Sequence, residues 1–438
     1  MRRLEKKYRD ELVVVGVHAA KFPNEKEKVN LINAVKRYEL RHPVINDVDM
    51  AVARAYNFRA WPTLWFIDPE GRLIGKHEGE LDYDAFDDLL ARMIAEFDSK
   101  GLLKRSPPPE APATEPQTGL SFPGKVLADP DSGRLFIADT NNNRILVTGL
   151  DGQVRLMIGS GEPGFGDGPT SSATLDHPQG MILSGDILYV ADAENHALRR
   201  IDLSQGTVDT IAGTGGQGNV REGRGPARST ALNSPWDLAY DQGVLYIAMA
   251  GSHQIWSMDL DEADIGPFVG TGQESLSDGP LDSATLAQPC GISKGGERLY
   301  FADSETSSIR SADLTPAGRV RTIVGQDLFV FGDRDGAGQN VRLQHPIGIA
   351  YHDGTLYVAD TYNHKIKKVL PETQSAFTFL GNGQAGFEDG QGIQARFAEP
   401  CGLSVAHGKL YIADTNNHSV RIADLETGEV STLELTGI

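Results

Sequence analysis

The second part of the chain is built from short stretches in which apolar and polar residues alternate. Residues 399–435 contain four of them, EPCGLSV, KLYIADT, SVRIADL and EVSTLEL, separated by Gly, Asn-Asn or Thr-Gly turns. A period of two predicts β-strands, and the tight turns predict that neighbouring strands are antiparallel. Each such group therefore predicts a small four-stranded antiparallel sheet.

This four-strand pattern occurs six times, and a proline precedes each copy at intervals of 54 to 57 residues. A lone four-stranded sheet exposes both faces, so each copy must pack against two neighbours. Six copies arranged radially leave no face uncovered. Residues 120–438 are thus predicted to form an all-β six-bladed β-propeller. The prolines are Pro123, Pro178, Pro235, Pro289, Pro346 and Pro400.

The first hundred residues follow a different pattern. The continuous apolar run ELVVVGVHA (11–19) predicts a buried parallel strand, and residues 24–40 carry apolar side chains at helical spacing. A short strand (HPVIND), a short helix (DMAVARAYNF), a strand-turn-strand segment (AWPTLWFIDPEGRLIGKHEGE) and a final helix (DYDAFDDLLARMIAEF) follow. The order β-α-β-α-β-β-α predicts an α/β domain over residues 1–100.

Between the two parts, residues 101–119 (GLLKRSPPPEAPATEPQTG) lose the apolar period and predict a semi-rigid Pro-rich linker. The chain carries a formal charge of −19, nearly all of it after residue 100. This balance argues against binding to nucleic acid or to anionic membranes, which needs clustered Lys and Arg. The sequence has no signal peptide and no apolar stretch long enough to span a bilayer, so we expect a cytoplasmic protein.

The six copies resemble the NHL-repeat family, whose unit reads roughly Pro-x-Gly, then Leu-Tyr-Val-Ala-Asp-x-x-Asn-His. Pro178-Gln179-Gly180 matches the first part, and Asp192, Asn195 and His196 match the second. The third copy has Met249 in place of the Asp and Trp236-Asp237 in place of x-Gly, and the fourth has Ser307-Ser308 in place of Asn-His. The repeated Asp and His residues of the motif are Asp139, Asp192, Asp303, Asp360, Asp414, His196, His364 and His418.

Two roles are open for these repeated side chains. Asp and Asn bond to nearby backbone N–H groups in turns, whereas carboxylate and imidazole together could bind a divalent cation at one end of the channel. Repetition favours the turn role, because a single site would not need five copies. We therefore predict structural roles, with no metal and no cofactor. Cys290 and Cys401 lie at equivalent places in non-adjacent copies, so we expect buried thiols rather than a disulfide.

Residues 1–100 resemble the thioredoxin-like family through their element order and the stretch AWPTLWFID, which starts at Ala60. Pro62, between Trp61 and Thr63, matches the family's cis-proline, which lies beside the redox cysteines. Family members begin with a strand and a Cys-x-x-Cys motif that opens a helix. Here RRLEKKY resembles the later turns of that helix, and residues 1–100 contain no Cys. Dithiol chemistry is therefore not available to these residues, and we expect the natural protein to be longer at its N-terminus.

The combination of domains resembles the NHL repeat-containing protein 2-like family and leaves two function classes open. One is a protein-binding scaffold, in which the acidic propeller presents an end face and loops such as 213–233 to a cationic or neutral protein or peptide. The alternative is a thiol–disulfide oxidoreductase whose Cys-x-x-Cys lies upstream of Met1, with the propeller recruiting the substrate. A lyase or hydrolase with a metal in the channel is a weaker third hypothesis. The sequence predicts no oligomeric state.

Overall fold

The computed structural model describes residues 1–79, 83–106, 119–315 and 317–438. The chain divides between residues 116 and 117 into two compact units. Most of the predicted linker, residues 107–118, lies outside the described residues.

The N-terminal unit combines helices with two small sheets. Strand β1 (Gly16–His18) pairs in parallel with β2 (Val44–Asn46), and β3 (Thr63–Ile67) pairs antiparallel with β4 (Leu73–Glu78). After an initial short helix, the elements follow the predicted order along the chain. The helices are α1 (Arg2–Lys7), α2 (Lys28–Arg37), α3 (Ala51–Ala55) and α4 (Tyr83–Ser99), with a 3-10 turn at Pro23–Lys26.

The core of this unit lies between α1 and α4. Leu4 and Tyr8 pack against Phe86 and Leu90, and all four are buried. The hydroxyl of Tyr8 donates to the carboxylate of Asp87 at 2.7 Å, which fixes the two helices to each other. The apolar stripe predicted for α4 therefore faces the core. No described helix, α4 included, is both long enough and apolar enough to cross a bilayer.

The expectation that ELVVVGVHA forms a buried strand is wrong. Only Gly16–His18 of this run is a strand, and Val13, Val15 and Val17 are 60%, 51% and 40% exposed. Within the described residues, β1 pairs with β2 alone, in a sheet of two strands. An apolar run can identify a strand, but its burial depends on the layers that pack over it.

The C-terminal unit is a six-bladed β-propeller. Each blade has four antiparallel strands, A to D, and the A strands of successive blades contact one another around the ring, so they lie at its centre. In blades 1 to 3 the strands are Lys125–Asp129, Arg134–Asp139, Arg144–Gly149 and Val154–Ile158; Pro178–Ser184, Ile187–Asp192, Ala197–Asp202 and Thr207–Ala212; Pro235–Asp241, Val244–Met249, Gln254–Asp259 and Asp264–Val269. In blades 4 to 6 they are Pro289–Gly295, Arg298–Asp303, Ser308–Asp313 and Arg319–Val324; Ile349–His352, Thr355–Asp360, Lys365–Leu370 and Ser375–Leu380; Pro400–Ala406, Lys409–Asp414, Ser419–Asp424 and Glu429–Thr432.

Every blade is packed between two neighbours, and its strand B is therefore buried on both faces. In blade 1 this burial extends over 135–139 without a break. Apolar clusters fill the spaces between blades, and one of them joins Val126 and Leu135 of blade 1 to Tyr411 and Val420 of blade 6. Continuous burial explains why the LYVAD stretch is apolar at successive positions rather than at alternate ones.

The outer edge of each blade is covered by a short extra segment. In blades 2 to 6 a two-residue strand from the preceding loop pairs with strand D. In blade 1 the C-terminal tail takes this place, because the N–H of Val154 donates to the carbonyl of Thr436 at 2.9 Å. Blades 1 and 6 each keep four strands of their own, so the ring closes without strand exchange. The two-residue strands are Gly168–Pro169, Gly225–Pro226, Gly279–Pro280, Gly336–Ala337 and Gly390–Gln391.

Candidate functional site

The repeated Asp closes the turn between strands B and C in five blades. In blade 2, Oδ1 of Asp192 accepts the backbone N–H of Asp176 at 2.7 Å, and Oδ2 accepts the side-chain amide of Asn195 at 2.8 Å. Asn195 also donates to the carbonyl of Gly164 at 2.6 Å, so the turn is tied to the loop that enters the blade. The equivalent carboxylates, all buried, accept a backbone N–H at 2.7–2.8 Å; they belong to Asp139, Asp303, Asp360 and Asp414.

A buried cation lies beside these carboxylates, and our sequence analysis missed it. Nη1 of Arg199 donates to Asp192 at 2.7 Å, and Nη2 donates at 3.0 Å to Asp167, which belongs to the loop before the blade. The guanidinium thus joins the turn to the loop. The signal was in the repeat, because Arg or Lys stands seven residues after the Asp in four blades and five residues after it in blade 1. These cations are Arg199, Arg310, Lys367, Arg421 and, in blade 1, Arg144.

Blade 3 supports a structural role for this pair, because it has lost both members. Met249 stands in place of the Asp and Trp256 in place of the cation, and the indole N–H of Trp256 donates to Gln254 at 3.0 Å. Either charged group alone would be buried without compensation, which is costly. In blade 4, Thr306 and Ser307 take the places of Asn and His, one position earlier than the predicted Ser307-Ser308.

Burial raises the pKa of these aspartates, while their hydrogen bonds and the adjacent cations lower it. The pKa is raised to about 6 at Asp192 and Asp414 and to about 7 at Asp360. Raised pKa values also occur in catalytic carboxylates. Here, however, the carboxylates are fully buried and their oxygens are held by the protein's own donors. This arrangement supports the structural role predicted for these side chains.

The residue after the Asn of the motif connects its blade to the next one. His196 has a φ of 47°, and its Nδ1 accepts the backbone N–H of Ser234, in blade 3, at 3.0 Å. The three predicted histidines therefore form contacts between blades. The other two bonds of this kind run from the N–H of Glu399 to His364 and from the N–H of Phe122 to His418, each at 3.1 Å.

The centre of the propeller is closed by an ion pair that crosses its axis. Lys125 and Asp237 stand where the other four blades have the Gly of Pro-x-Gly, and Nζ of Lys125 lies 2.6 Å from Oδ2 of Asp237. The cavity at this level measures about 10 Å³, which is room for one water molecule at most. Asp237, which replaces the motif glycine in blade 3, thus pairs with Lys125, which replaces it in blade 1. The sequence alone did not predict this pairing. Within the described residues, no group of three His, Cys, Asp or Glu side chains is placed to hold a metal ion.

The inner strands also approach each other too closely for any side chain at the remaining Pro-x-Gly glycines. A Cβ at Gly348 would overlap the carbonyl oxygen of Cys401, and a Cβ at Gly402 would overlap the backbone of Lys125. Neither cysteine of the chain forms a disulfide, both are buried, and burial raises the pKa of Cys290 to about 12. Cys290 is therefore a thiol at neutral pH and not an activated nucleophile.

Trp61, Pro62 and Thr63 lie where the N-terminal unit enters β3. The Trp61–Pro62 peptide bond is cis. The indole N–H of Trp61 donates to the carbonyl of Ala19 at 2.9 Å, and the hydroxyl of Thr63 donates to the carbonyl of Ala60 at 2.6 Å. Half of Trp61 is exposed, so these residues border an accessible surface.

The loops between blades carry exposed aromatic side chains, two of which cover buried cations. Phe165 lies 5.4 Å from the guanidinium of Arg199, and Phe387 lies 4.9 Å from that of Arg421. In blade 5 the cation is Lys367, and its loop supplies Asp333 at 2.7 Å in place of the aromatic ring. In these three blades, an aromatic ring accompanies each Arg and a carboxylate accompanies the Lys.

Phe329 lies in the part of its loop that precedes the residues contacting the buried cation. Six residues separate Gly325 from Gly332, where four separate Gly159 from Gly164 and Gly381 from Gly386. Gly164, Gly332 and Gly386 are equivalent because each donates its N–H to a carbonyl in the segment just before strand A of the next blade, those of Leu175, Leu343 and Phe397. Phe329 lies in this longer segment and is 68% exposed, more than any other large apolar side chain of the described residues.

The loop predicted to contact a partner, residues 213–233, is itself bonded to blade 3 and its surroundings. Arg221 donates to the carbonyl of Gly272 at 2.6 Å, and Arg224 donates to Asp264 at 2.6 Å. Val220 remains 41% exposed. The basic side chains of this loop therefore serve at least partly to anchor it.

Comparison with known proteins places these features in a family context. The NHL repeat model matches residues 343–369. The chain is 44% identical over 463 residues to Protein SUPPRESSOR OF QUENCHING 1, chloroplastic, of Arabidopsis thaliana, covering 99% of this chain and 44% of that protein. It is 39% identical over 467 residues to NHL repeat-containing protein 2 of Bos taurus, covering 97% of this chain and 63% of that protein.

The chain thus spans less than two thirds of the length of these relatives. A crystal structure of an auxiliary nutrient binding protein from Bacteroides thetaiotaomicron is similar in fold alone, with a TM-score of 0.53 and 15% identity over 72% of this chain and 70% of that one. The chain carries an NHL repeat and, over nearly its whole length, is homologous to NHL repeat-containing protein 2 and to its plant relative.

Proposed function

We propose that the propeller is a protein-binding scaffold and that its partner docks on the loops between blades. The central channel is closed by Lys125 and Asp237, which favours a function on the outer surface. The observation that carries the proposal is Phe329, which is 68% exposed in a loop segment two residues longer than its equivalents. A large exposed aromatic side chain is typical of the residues that dominate binding energy in protein interfaces.

The charge of the chain limits the chemical classes of partner that it could bind. With a formal charge of −19, the protein would repel anionic lipids and nucleic acids, and it favours a cationic or neutral protein or peptide. Asp327, two residues before Phe329, adds a carboxylate to the same turn. The partner's site would therefore combine an apolar pocket for the ring with a neutral or basic rim.

A photo-crosslinking residue at position 329 would test this proposal. The matched control is the same residue at Phe377, which is 41% exposed on strand D of blade 5. We expect a partner that crosslinks from 329 and not from 377. With that partner purified, Phe329→Ser should weaken binding at least about tenfold, as truncated interface anchors do. Equal crosslinking from both positions, or equal affinity of the variant, would exclude this docking site.

A second candidate function concerns the N-terminal unit, which we propose to be a thioredoxin-like domain over residues 1–100, with a linker at 101–119 and the propeller from 120. Its element order, the two-stranded sheet of β1 and β2, and the exposure of Val17 on that sheet and of Val13 and Val15 just before it support a domain that is completed by further chain. If the natural protein carries a Cys-x-x-Cys before residue 1, the unit would be a thiol–disulfide oxidoreductase and the propeller would select its substrate. Reduction of insulin by the natural protein tests this, with residues 1–438 alone as the inactive control. A cytoplasmic location stays a prediction.

A further inference from the structure

We propose that the junctions between blades form acid-sensitive latches, in which protonation of four histidines loosens four of the six seams of the propeller. The histidines are His196, His253, His364 and His418, at the ends of blades 2, 3, 5 and 6. This inference concerns the ring itself and does not depend on the proposed partner.

The geometry of these contacts determines the protonation state of each imidazole. The backbone N–H groups of Ser234, Gln288, Glu399 and Phe122 donate to Nδ1 of the four histidines at 3.0–3.1 Å. A backbone N–H can only donate, so Nδ1 must offer its lone pair and the ring must be neutral. A proton on Nδ1 would point at the N–H of the next blade and break the bond.

At two of the six junctions the acceptor is a side chain that does not titrate. At the first junction Oδ1 of Asn143 accepts the N–H of His177 at 3.0 Å, and at the fourth Oγ of Ser307 accepts the N–H of His345 at 3.2 Å. Asn143 has a φ of 50° and Ser307 a φ of 49°, close to the 47–54° of the four histidines. The six junctions therefore share one backbone geometry and differ in whether the acceptor can take up a proton.

At His196 and His364, burial outweighs the nearby carboxylates. Burial lowers the pKa of His196, and the carboxylates of Glu194 and Asp176 only partly oppose it. Burial likewise lowers the pKa of His364, opposed by Glu399. Asp303 interacts with His253, and the ring of Phe122 packs edge-on against His418 at 4.4 Å.

The direction of the pH effect follows from these shifts. A histidine whose pKa is lower in the folded protein than its usual 6.5 binds fewer protons when folded than when exposed. The stability of its junction is therefore complete above pH 6.5 and falls as the pH drops below that value. The repeated aspartates act in the opposite direction, since their raised pKa values favour the folded state as the pH falls below about 6.

Amide hydrogen exchange of the 438-residue chain at pH 7.5 and 5.5, corrected for intrinsic rates, tests the proposal. We expect the amides of residues 122, 234, 288 and 399 to lose protection about tenfold at pH 5.5, because opening there is coupled to proton uptake with a pKa near 6.5. The amides of residues 177 and 345 sit in the same geometry opposite Asn143 and Ser307 and should show no such loss. Equal loss at all six junctions would overturn the proposal.

Variants provide an independent test. Replacing His196, His253, His364 and His418 by Asn copies the acceptor of the first junction and should abolish the extra loss of protection at pH 5.5. If the fourfold variant does not fold, the single variant His364→Asn should abolish the extra loss of protection at residue 399 only. The control His352→Asn changes a 42% exposed histidine away from the junctions and should leave the acid effect intact. Acid loss that persists at residue 399 in His364→Asn would contradict the latch.

Discussion

At the scale of the residue, the propeller is maintained by charged groups that occur only in matched sets. Asp192 and Arg199 are both fully buried and bond to each other at 2.7 Å, and blade 3 replaces the two together by Met249 and Trp256. Removing one member leaves a charge in the interior without a partner, whereas removing both leaves an apolar site. The same buried position of a blade is thus filled either by an Asp–cation pair or, in blade 3, by two apolar side chains.

Arg199→Trp alone should reduce the free energy of unfolding by about 3–5 kcal/mol, because Asp192 would remain buried and unpaired. Adding Asp192→Met, as in blade 3, should recover part of that loss. Urea unfolding of the two single variants and the double variant measures the coupling between the residues. If the double variant lost as much as the two single variants together, the charges would be acting independently.

At the scale of the element, the sequence predicted what each blade shares and missed what single blades do differently. The six four-stranded sheets follow from a pattern that every copy repeats, because each blade meets the same two kinds of neighbour. The ion pair of Lys125 with Asp237 connects blades 1 and 3. Because the two residues are far apart in the sequence, no local pattern predicts their contact. Likewise, the exposure of Val13 and Val15 depends on tertiary packing that the apolar run cannot reveal.

Lys125→Met should destabilise the propeller by about 3–5 kcal/mol, since the buried Asp237 would lose its cationic partner and keep the backbone donors of Leu238 and Ile292. The double variant Lys125→Gly, Asp237→Gly restores the residue found in the other four blades. We expect it to be more stable than the single Lys125 variant in the same denaturant titration. A double variant less stable than that single variant would mean that the side chains are needed to fill the axis.

Gly348→Ala should cost more than about 2 kcal/mol, because the added methyl group overlaps the carbonyl oxygen of Cys401. Gly216→Ala, in an open loop with only the hydroxyl of Thr214 within 4 Å, is the matched control and should change stability by less than about 0.5 kcal/mol. Thermal unfolding of both variants measures the difference. Similar melting temperatures would show that strand A can move away from its neighbour.

At the scale of the whole molecule, several hydrogen bonds hold the last and first blades of the ring together beside their shared apolar cluster. The hydroxyl of Thr415 donates to the carbonyl of Pro123 at 2.8 Å, His418 accepts from Phe122, and the tail covers the edge of blade 1 through Thr436. The first two have equivalents at other junctions, for example between Thr361 and Pro400. The tail is particular to the closure.

Deleting residues 434–438 should lower the melting temperature of the propeller by a few degrees without unfolding it, since the bonds of Thr415 and His418 remain. The loss should be confined to blade 1, where hydrogen exchange at Val154 should become faster. Unfolding of the entire ring after this deletion would mean that the tail, and not the shared junction, completes the closure.

The absence of strand exchange has a consequence for how the chain could be cut and rejoined. The four strands of each blade are a continuous piece of chain, and all six seams share one kind of hydrogen bond, from a backbone N–H to a side-chain acceptor. The seam between blades 6 and 1 adds the C-terminal tail to this shared bond. New ends placed between blades 2 and 3, with residue 438 linked to residue 119, would preserve every blade intact. The folded ring should therefore not depend on which blade comes first in the chain. We expect a circularly permuted propeller to reach the same structure.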